Sequence, residues 1–268
     1  MRTSVVGFDS AWTDKATAPG AVCAIRRLPD GLIFEPPRLV TFAQALAFVR
    51  AEQVMAEHVL VALDQPTIVP NAAGSRPVDK IAGSLVSWIG GGVQPANRSK
   101  IGMFDDAAPV WRFKAELAAV EDPEGARRAA SGLYLIEVFP ALALPSLVPA
   151  HCGRKLGAKY NPARRQTFRL DHWSGVLTFV AEFGLAHGIG GLTGWAEAHR
   201  SIAVPRKADQ DLLDSVLCAI VGHLWLFDKR DRLLMIGDVA AGYMITPAVG
   251  EAGHRLIAAA RKRGVSAR

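Results

Sequence analysis

Five carboxylates stand where a fold could gather them. Asp9 follows the apolar run Val5-Val6-Gly7-Phe8, Asp64 follows Val59–Leu63, and Glu137 lies inside the run Leu133–Val138. Asp211 and Asp214 open the chain's clearest amphipathic stretch, three residues apart and so on one helix face. A carboxylate beside buried strand residues is costly unless it is paired or bound to a cation. Several that converge point to a hard, oxygen-liganded divalent ion, Mg²⁺ or Mn²⁺. Two such ions would activate a water and stabilise a leaving oxygen, the chemistry of phosphodiester hydrolysis. Each acid also has a plainer role open to it. Asp64 could cap a turn, and Asp211 and Asp214 could favour a helix dipole. Asp9, between Gly7-Phe8 and Ser10, and Glu137, within an apolar strand, fit such roles less well. Glu52, on an early helix, is expected to face solvent.

Basic residues form a second candidate site. Residues 151–172 hold Arg154, Lys155, Lys159, Arg164, Arg165 and Arg169 against the single acid Asp171. Residues 250–268 hold Arg255, Arg261, Lys262, Arg263 and Arg268 against Glu251 and read as a basic C-terminal tail. The chain's formal charge is +6, so the remaining body is slightly acidic. Two basic segments on such a body suit a polyanion. Arg154, Lys155, Lys159, Arg164 and Arg165 are the expected nucleic-acid contacts. Gly153, Gly157, Tyr160 and Pro162 make that segment a loop rather than a plain helix face.

These groups need a scaffold. Strand patterns occur at Thr3–Phe8, Ala21–Ile25 and Leu32–Phe34, joined by short loops that include Pro29-Asp30-Gly31, and so predict an antiparallel meander. Thr41 and Gln44 have capping-box spacing at the start of a helix ending near Glu57. The unbroken run Val59–Leu63 predicts a central strand covered on both faces. Further helices are expected near 77–88, 109–120 and 174–187. The clearest spans Asp209–Phe227, where Leu213, Leu217, Ile220, Leu224 and Phe227 repeat at helical spacing. Leu233–Ile236 and Tyr243–Ile245 read as late strands. The order predicts an α/β fold: a mixed sheet, with a three-strand antiparallel meander plus parallel strands, flanked by helices. The whole chain, 1–268, reads as one domain carrying a large insertion or cap at 66–130. That insertion is expected to turn Arg98, Lys100, Asp105, Asp106 and Trp111 towards the acids. Trp88 and Trp111 flank it and could stack on a base.

Four landmarks, in this order, resemble a known family: Gly7-Phe8-Asp9-Ser10-Ala11-Trp12, Leu63-Asp64-Gln65-Pro66, Glu137-Val138-Phe139-Pro140 and Asp211-Leu212-Leu213-Asp214-Ser215. They are similar to those of a bacterial and archaeal domain-of-unknown-function family described as predicted RNase H-like nucleases. Gly242-Tyr243-Met244-Ile245-Thr246-Pro247 resembles that family's terminal strand. The Asp-x-x-Asp start of the late helix is similar to the RuvC branch of the RNase H-like superfamily. The resemblance implies an RNase H-like fold and metal ligands at Asp9, Asp64 and Asp214 or Asp211, with Glu137 contributing. Ser215 stands where alanine is usual in the family.

Other chemistries lack their residues. There is no GxxxxGK[ST] and no GxSxG. His187-Gly188-Ile189-Gly190-Gly191 lacks dinucleotide-binding spacing, and the seven histidines show no paired zinc spacing. His223 reads as a satisfied, half-buried core side chain. Cys23, Cys152 and Cys218 make no disulfide framework. With no signal-peptide pattern or spanning run, a cytoplasmic protein without a membrane partner is expected. The leading expectation is a metal-dependent nuclease. Its rivals are a phosphotransferase of the sugar-kinase and actin type, which would need glycine-rich phosphate turns after two strands, and a noncatalytic nucleic-acid-binding protein.

Overall fold

Strand β1 (Thr3–Asp9) is buried at all seven positions, as its unbroken apolar run requires. The computed structural model describes residues 1–15 and 17–268. In it β1 pairs antiparallel with β2 (Gly20–Leu28), and β2 with β3 (Gly31–Val40). Thr41 caps helix α1 (Phe42–Met55) through the expected reciprocal bonds with Gln44. The helix returns the chain to β4 (His58–Asp64), which lies parallel to β1. Strand β5 (Gly132–Glu137) adds parallel to β4. A two-residue strand, β6 (Ile189–Gly190), closes the other edge, giving the order β5-β4-β1-β2-β3-β6. The protein is thus a mixed α/β fold with a six-stranded sheet.

The 66–130 insertion supplies α2 (Pro77–Trp88), α3 (Pro109–Leu117) and α4 (Pro123–Arg128). Helix α3 is shorter than the expected 109–120 because Ala118 turns left-handed at φ 52°. Downstream lie α5 (Pro140–Leu147), α6 (Leu170–His187), α7 (Leu192–Arg200) and the central helix α8 (Lys207–Phe227). Strand alternation assigns the two faces of the sheet. Val6, Phe8, Val61 and Leu63 pack with α1 and α3, whereas Cys23, Ile25, Leu60 and Ala62 pack with α6 and α8. Among the described residues α8 alone is long and apolar enough to span a bilayer, and most of it is buried inside the molecule.

The late strands β7 (Leu233–Asp238) and β8 (Gly242–Pro247) pair with each other as a separate hairpin, touching the main sheet through the bridge Val138–Ile245. The expected basic tail is mostly an ordered helix, α9 (Gly250–Arg263), packed on α2 and α5 through Ala252, Leu256 and Ala260. Arg261, Lys262 and Arg263 occupy its last turn, where cations favour the helix dipole. Glu52 corrects another expectation. It is 1% exposed and ion-paired with Arg26 at 2.6 Å, because α1 turns this face to the sheet. The insertion divides between two places, with α3 against α1 and α2 against α9.

Candidate active site

Register places two acids side by side. Asp9 stands opposite Asp64 on the neighbouring parallel strands β1 and β4. Phe8 and Leu63 face α1, so alternation turns Asp9 and Asp64 to the α8 face. Gly7 then lets α8 come down on them. A Cβ at Gly7 would lie 2.0 Å from the Ser215 carbonyl oxygen and 2.4 Å from the Ala219 nitrogen. Only a residue without a side chain allows this approach, and Asp214 precedes Ser215 on the same helix. The Ser215 hydroxyl donates to the Leu212 carbonyl at 2.7 Å, so serine is accommodated where the resembling family has alanine.

The first two turns of α8 present a polar stripe. Lys207, Gln210, Asp211 and Asp214 repeat at i, i+3, i+4 and i+7, one helix face. Lys207 donates to Asp211. Asp214 is pinned on both oxygens, by the Tyr160 hydroxyl at 2.7 Å and Gln210 Nε2 at 2.6 Å. Asp9 and Asp214 are buried and Asp64 partly so.

Crowding without solvent dominates the electrostatics. Burial, then the charges of Asp214 and Asp64, hold the Asp9 carboxyl well above the usual carboxylate range. Burial and Asp214 do the same to Asp64. Burial raises Asp214 to about 6, with Tyr160, Lys207 and Gln210 opposing the rise. Burial also raises Asp211, while Lys207 and a hydrogen bond with Asp9 pull it back. Burial works to lower Lys207, but Asp9, Asp211 and Asp214 outweigh it and hold the ammonium form. Four carboxyls therefore share one nearby cation.

The structure does not bring Glu137 into this cluster. Glu137 is in register with Leu63, not Asp64, so alternation turns it to the other face. Its oxygens accept from Arg76 at 2.6 and 2.8 Å and from the Thr67 N–H at 3.0 Å. Its charge still reaches Asp64.

The acids form one wall of a cleft of about 340 Å³. The same cleft is lined by Lys159, Asn161, Arg164 and Thr167 and by the exposed Gly90–Gly92, with Ile89, Phe139 and Leu144 supplying apolar lining. Lys159 Nζ donates to the Gly90 carbonyl at 2.6 Å. Two of the five expected basic contacts, Lys159 and Arg164, thus line the same cleft as the acids. Arg154, Lys155 and Arg165 are exposed on the same segment but do not line the cleft. The insertion reaches the cleft with Val86, Ile89 and the glycines. Arg98, Lys100, Asp105, Asp106 and Trp111 do not line it. Arg98 pairs with Asp106 and covers the Trp111 ring at 4.7 Å, and Trp111 donates to the Asp105 carbonyl. Arg255 covers Trp88 at 3.6 Å, so neither indole has both faces open for stacking.

Lys207, Gln210 and Tyr160 were missed in the sequence. The i, i+3, i+4, i+7 spacing from Lys207 to Asp214 could have found the first two. Tyr160 lies 54 residues from its partner, and no local pattern marks it.

The donors are chemically suited to a hard divalent cation, since carboxylate oxygens dominate. Among the described residues, however, no three Asp, Glu, His or Cys side chains are disposed as a ready-made metal cage. Lys207 stands among the acids instead.

Fold and site together define an α/β protein whose mixed sheet gathers a buried acid cluster beside a basic, glycine-rimmed cleft. The chain belongs to the family described as Protein of unknown function (DUF429), whose model matches residues 7–240. No curated protein and no solved structure matches the chain.

Proposed function

We propose that this protein is a metal-dependent phosphodiester hydrolase, a nuclease, built on an RNase H-like fold. The observation that carries the reading is the pairing of Asp9 with Asp64 on adjacent parallel strands, with Asp214 lowered onto them by Gly7. The strand order supports the fold reading: an antiparallel meander followed by two parallel strands on the β1 edge. Asp9, Asp64 and Asp214 would hold Mg²⁺ or Mn²⁺, with Asp211 released from Lys207 as a further ligand. When bound, the divalent ions would lower the pKa of a water and stabilise the leaving oxygen. The chain's own groups do the rest. Tyr160 and Gln210 orient Asp214, and Lys159 and Arg164, which line the same cleft, would contact a substrate phosphate. Glu137 contributes from behind, by holding Arg76 and the loop at Thr67 under Asp64.

A noncatalytic nucleic-acid-binding protein is the second reading. It is favoured by Lys207, which partly neutralises the acids without any metal. Labelled DNA and RNA oligonucleotides incubated with Mn²⁺ decide between the two. Cleavage by wild type that disappears in Asp9→Asn and Asp64→Asn supports the nuclease. Binding without cleavage, unchanged in both variants, supports the second reading. The phosphotransferase gains nothing from Gly90–Gly92, which follow a helix rather than a strand.

A further inference from the structure

We infer that the cleft takes single-stranded nucleic acid, one nucleotide at a time, rather than a duplex. The inference rests on the hydrolase reading for the identity of the reacting phosphate, but its own argument is size and wall chemistry. A volume of about 340 Å³ is near the lower end for small-ligand sites, roughly 300–1,000 Å³. It holds one nucleotide unit, whereas a duplex presents two strands to any cleft that reads it.

The walls differ in a way that matches the parts of a nucleotide. Asp9, Asp64 and Asp214 lie on one side, where a cation-bridged phosphate would sit. Arg164 lines the same cleft and is exposed, its backbone closing a local turn through Thr167 and Phe168. Its guanidinium pairs with no carboxylate among the described residues. The remaining lining is apolar, with Phe139 partly exposed and Ile89 and Leu144 buried, so that the Phe139 ring is the surface offered to a base. Gly90–Gly92, in the same lining, are exposed, and the Gly90 carbonyl accepts from Lys159 Nζ at 2.6 Å.

The charge continues outside. Arg154, Lys155 and Arg165 are exposed on the segment that supplies Lys159 and Arg164. A free nucleotide has no use for this extension, while the following phosphates of a strand do. An acid wall without its cations repels a polyanion, and only a substrate lodged deeply enough to meet Lys159 and Arg164 offsets that. Unpaired bases reach such depth, while paired ones are held in the helix.

Fluorescence anisotropy in EDTA tests this with a labelled 12-nucleotide single strand, the same strand annealed to its complement, and a labelled mononucleotide as competitor. The single strand should bind at least about tenfold tighter than the duplex, and the mononucleotide should compete only weakly. Arg164→Ala should weaken single-strand binding and reduce its log–log salt slope by about 0.7, the value for one single-strand phosphate contact. Ala141→Trp, at the apolar side of the cleft, should abolish discrimination while keeping the Mn²⁺-dependent rise in melting temperature, which reports that the acid cluster is intact. Equal or tighter duplex binding overturns the inference, as does full competition by the mononucleotide. Failure to cleave any substrate in Mn²⁺ would sink the hydrolase reading alone, since the EDTA binding order does not depend on it.

Discussion

Asp64 and Glu137 end two neighbouring parallel strands, yet their surroundings are opposite. Glu137 is matched by Arg76, a fully buried guanidinium whose N–H groups are spent on Glu137, Asp79 and the Ile68 carbonyl. Among the described residues Asp64 has no such partner, and the charges of Asp214 and Glu137 press on it. A buried carboxylate can thus be stabilised by the protein itself or left for something else to stabilise. A one-residue difference in register separates the two outcomes. The acid matched by a buried guanidinium braces the fold, and those without one form the candidate site.

The largest expected effect breaks the paired side. Arg76→Met strands Glu137 and Asp79 without a counter-charge and should cost about 3–5 kcal/mol of unfolding free energy. Adding Glu137→Gln to Arg76→Met should recover part of the loss, measurable by chemical denaturation. A single variant within 1 kcal/mol of wild type would mean that the network does not brace the fold.

The unpaired side should respond to metal. Wild type should gain roughly 2.7 kcal/mol at a Mn²⁺ concentration 100 times the dissociation constant. Asp9→Asn should lose most of that gain, while its metal-free form is as stable as wild type or slightly more so, because one of several crowded charges is gone. Calorimetry with and without Mn²⁺ checks both halves. A metal-free Asp9→Asn that melts well below wild type would make Asp9 a structural hydrogen-bonding residue.

Acidity gives a smaller, signed effect. The Asp214 carboxyl titrates at about 6 in the folded protein against an ordinary 3.8, so the native state binds more protons than the unfolded chain between those values. The group's contribution to metal-free stability therefore falls as pH rises from about 4 to about 6, by on the order of 1 kcal/mol per pH unit. Asp9 and Asp64, raised in the same direction, contribute with the same sign. Subtracting the Asp214→Asn curve isolates this group's share, and saturating Mn²⁺ should flatten the difference. A difference that grows more stabilising with pH would mean the acids are paired.

The smallest change concerns Lys207. Its side chain is half exposed, so solvent screens it. Lys207→Met should lower metal-free stability by about 1 kcal/mol or less and tighten Mn²⁺ binding several-fold, since the cluster loses its competing cation. Titration calorimetry would detect it, and unchanged affinity would place Lys207 outside the metal's reach.

Much of the architecture was legible because the apolar patterns are strong. The meander, the double-faced strand at Val59–Leu63, the capping box at Thr41 and the long helix to Phe227 all follow from local periodicity. Helix α5 did not, since Pro140 and Pro145 mask it, although proline at the first turn is compatible with a helix. Helix α9 hid behind its charge, its buried side resting on Ala252, Gly253, Leu256 and Ala260, about one small or apolar residue per turn. Glu52 was misplaced because its partner Arg26 lies on another element.

For the site, residue types and strand ends determined which acids were candidates, and the spacing of Asp211 and Asp214 determined that they share a face. Those are properties of a local chain, set by the two-residue period of a strand and the 3.6-residue period of a helix. Tertiary structure alone decided that Asp9 stands beside Asp64, that Gly7 admits α8, that Glu137 turns away to Arg76, and that Lys159 and Arg164 line the same cleft as the acids. Each of these depends on register or on a contact between residues far apart in the chain. Such contacts are fixed by how whole faces pack, not by the sequence on either side of the residue concerned.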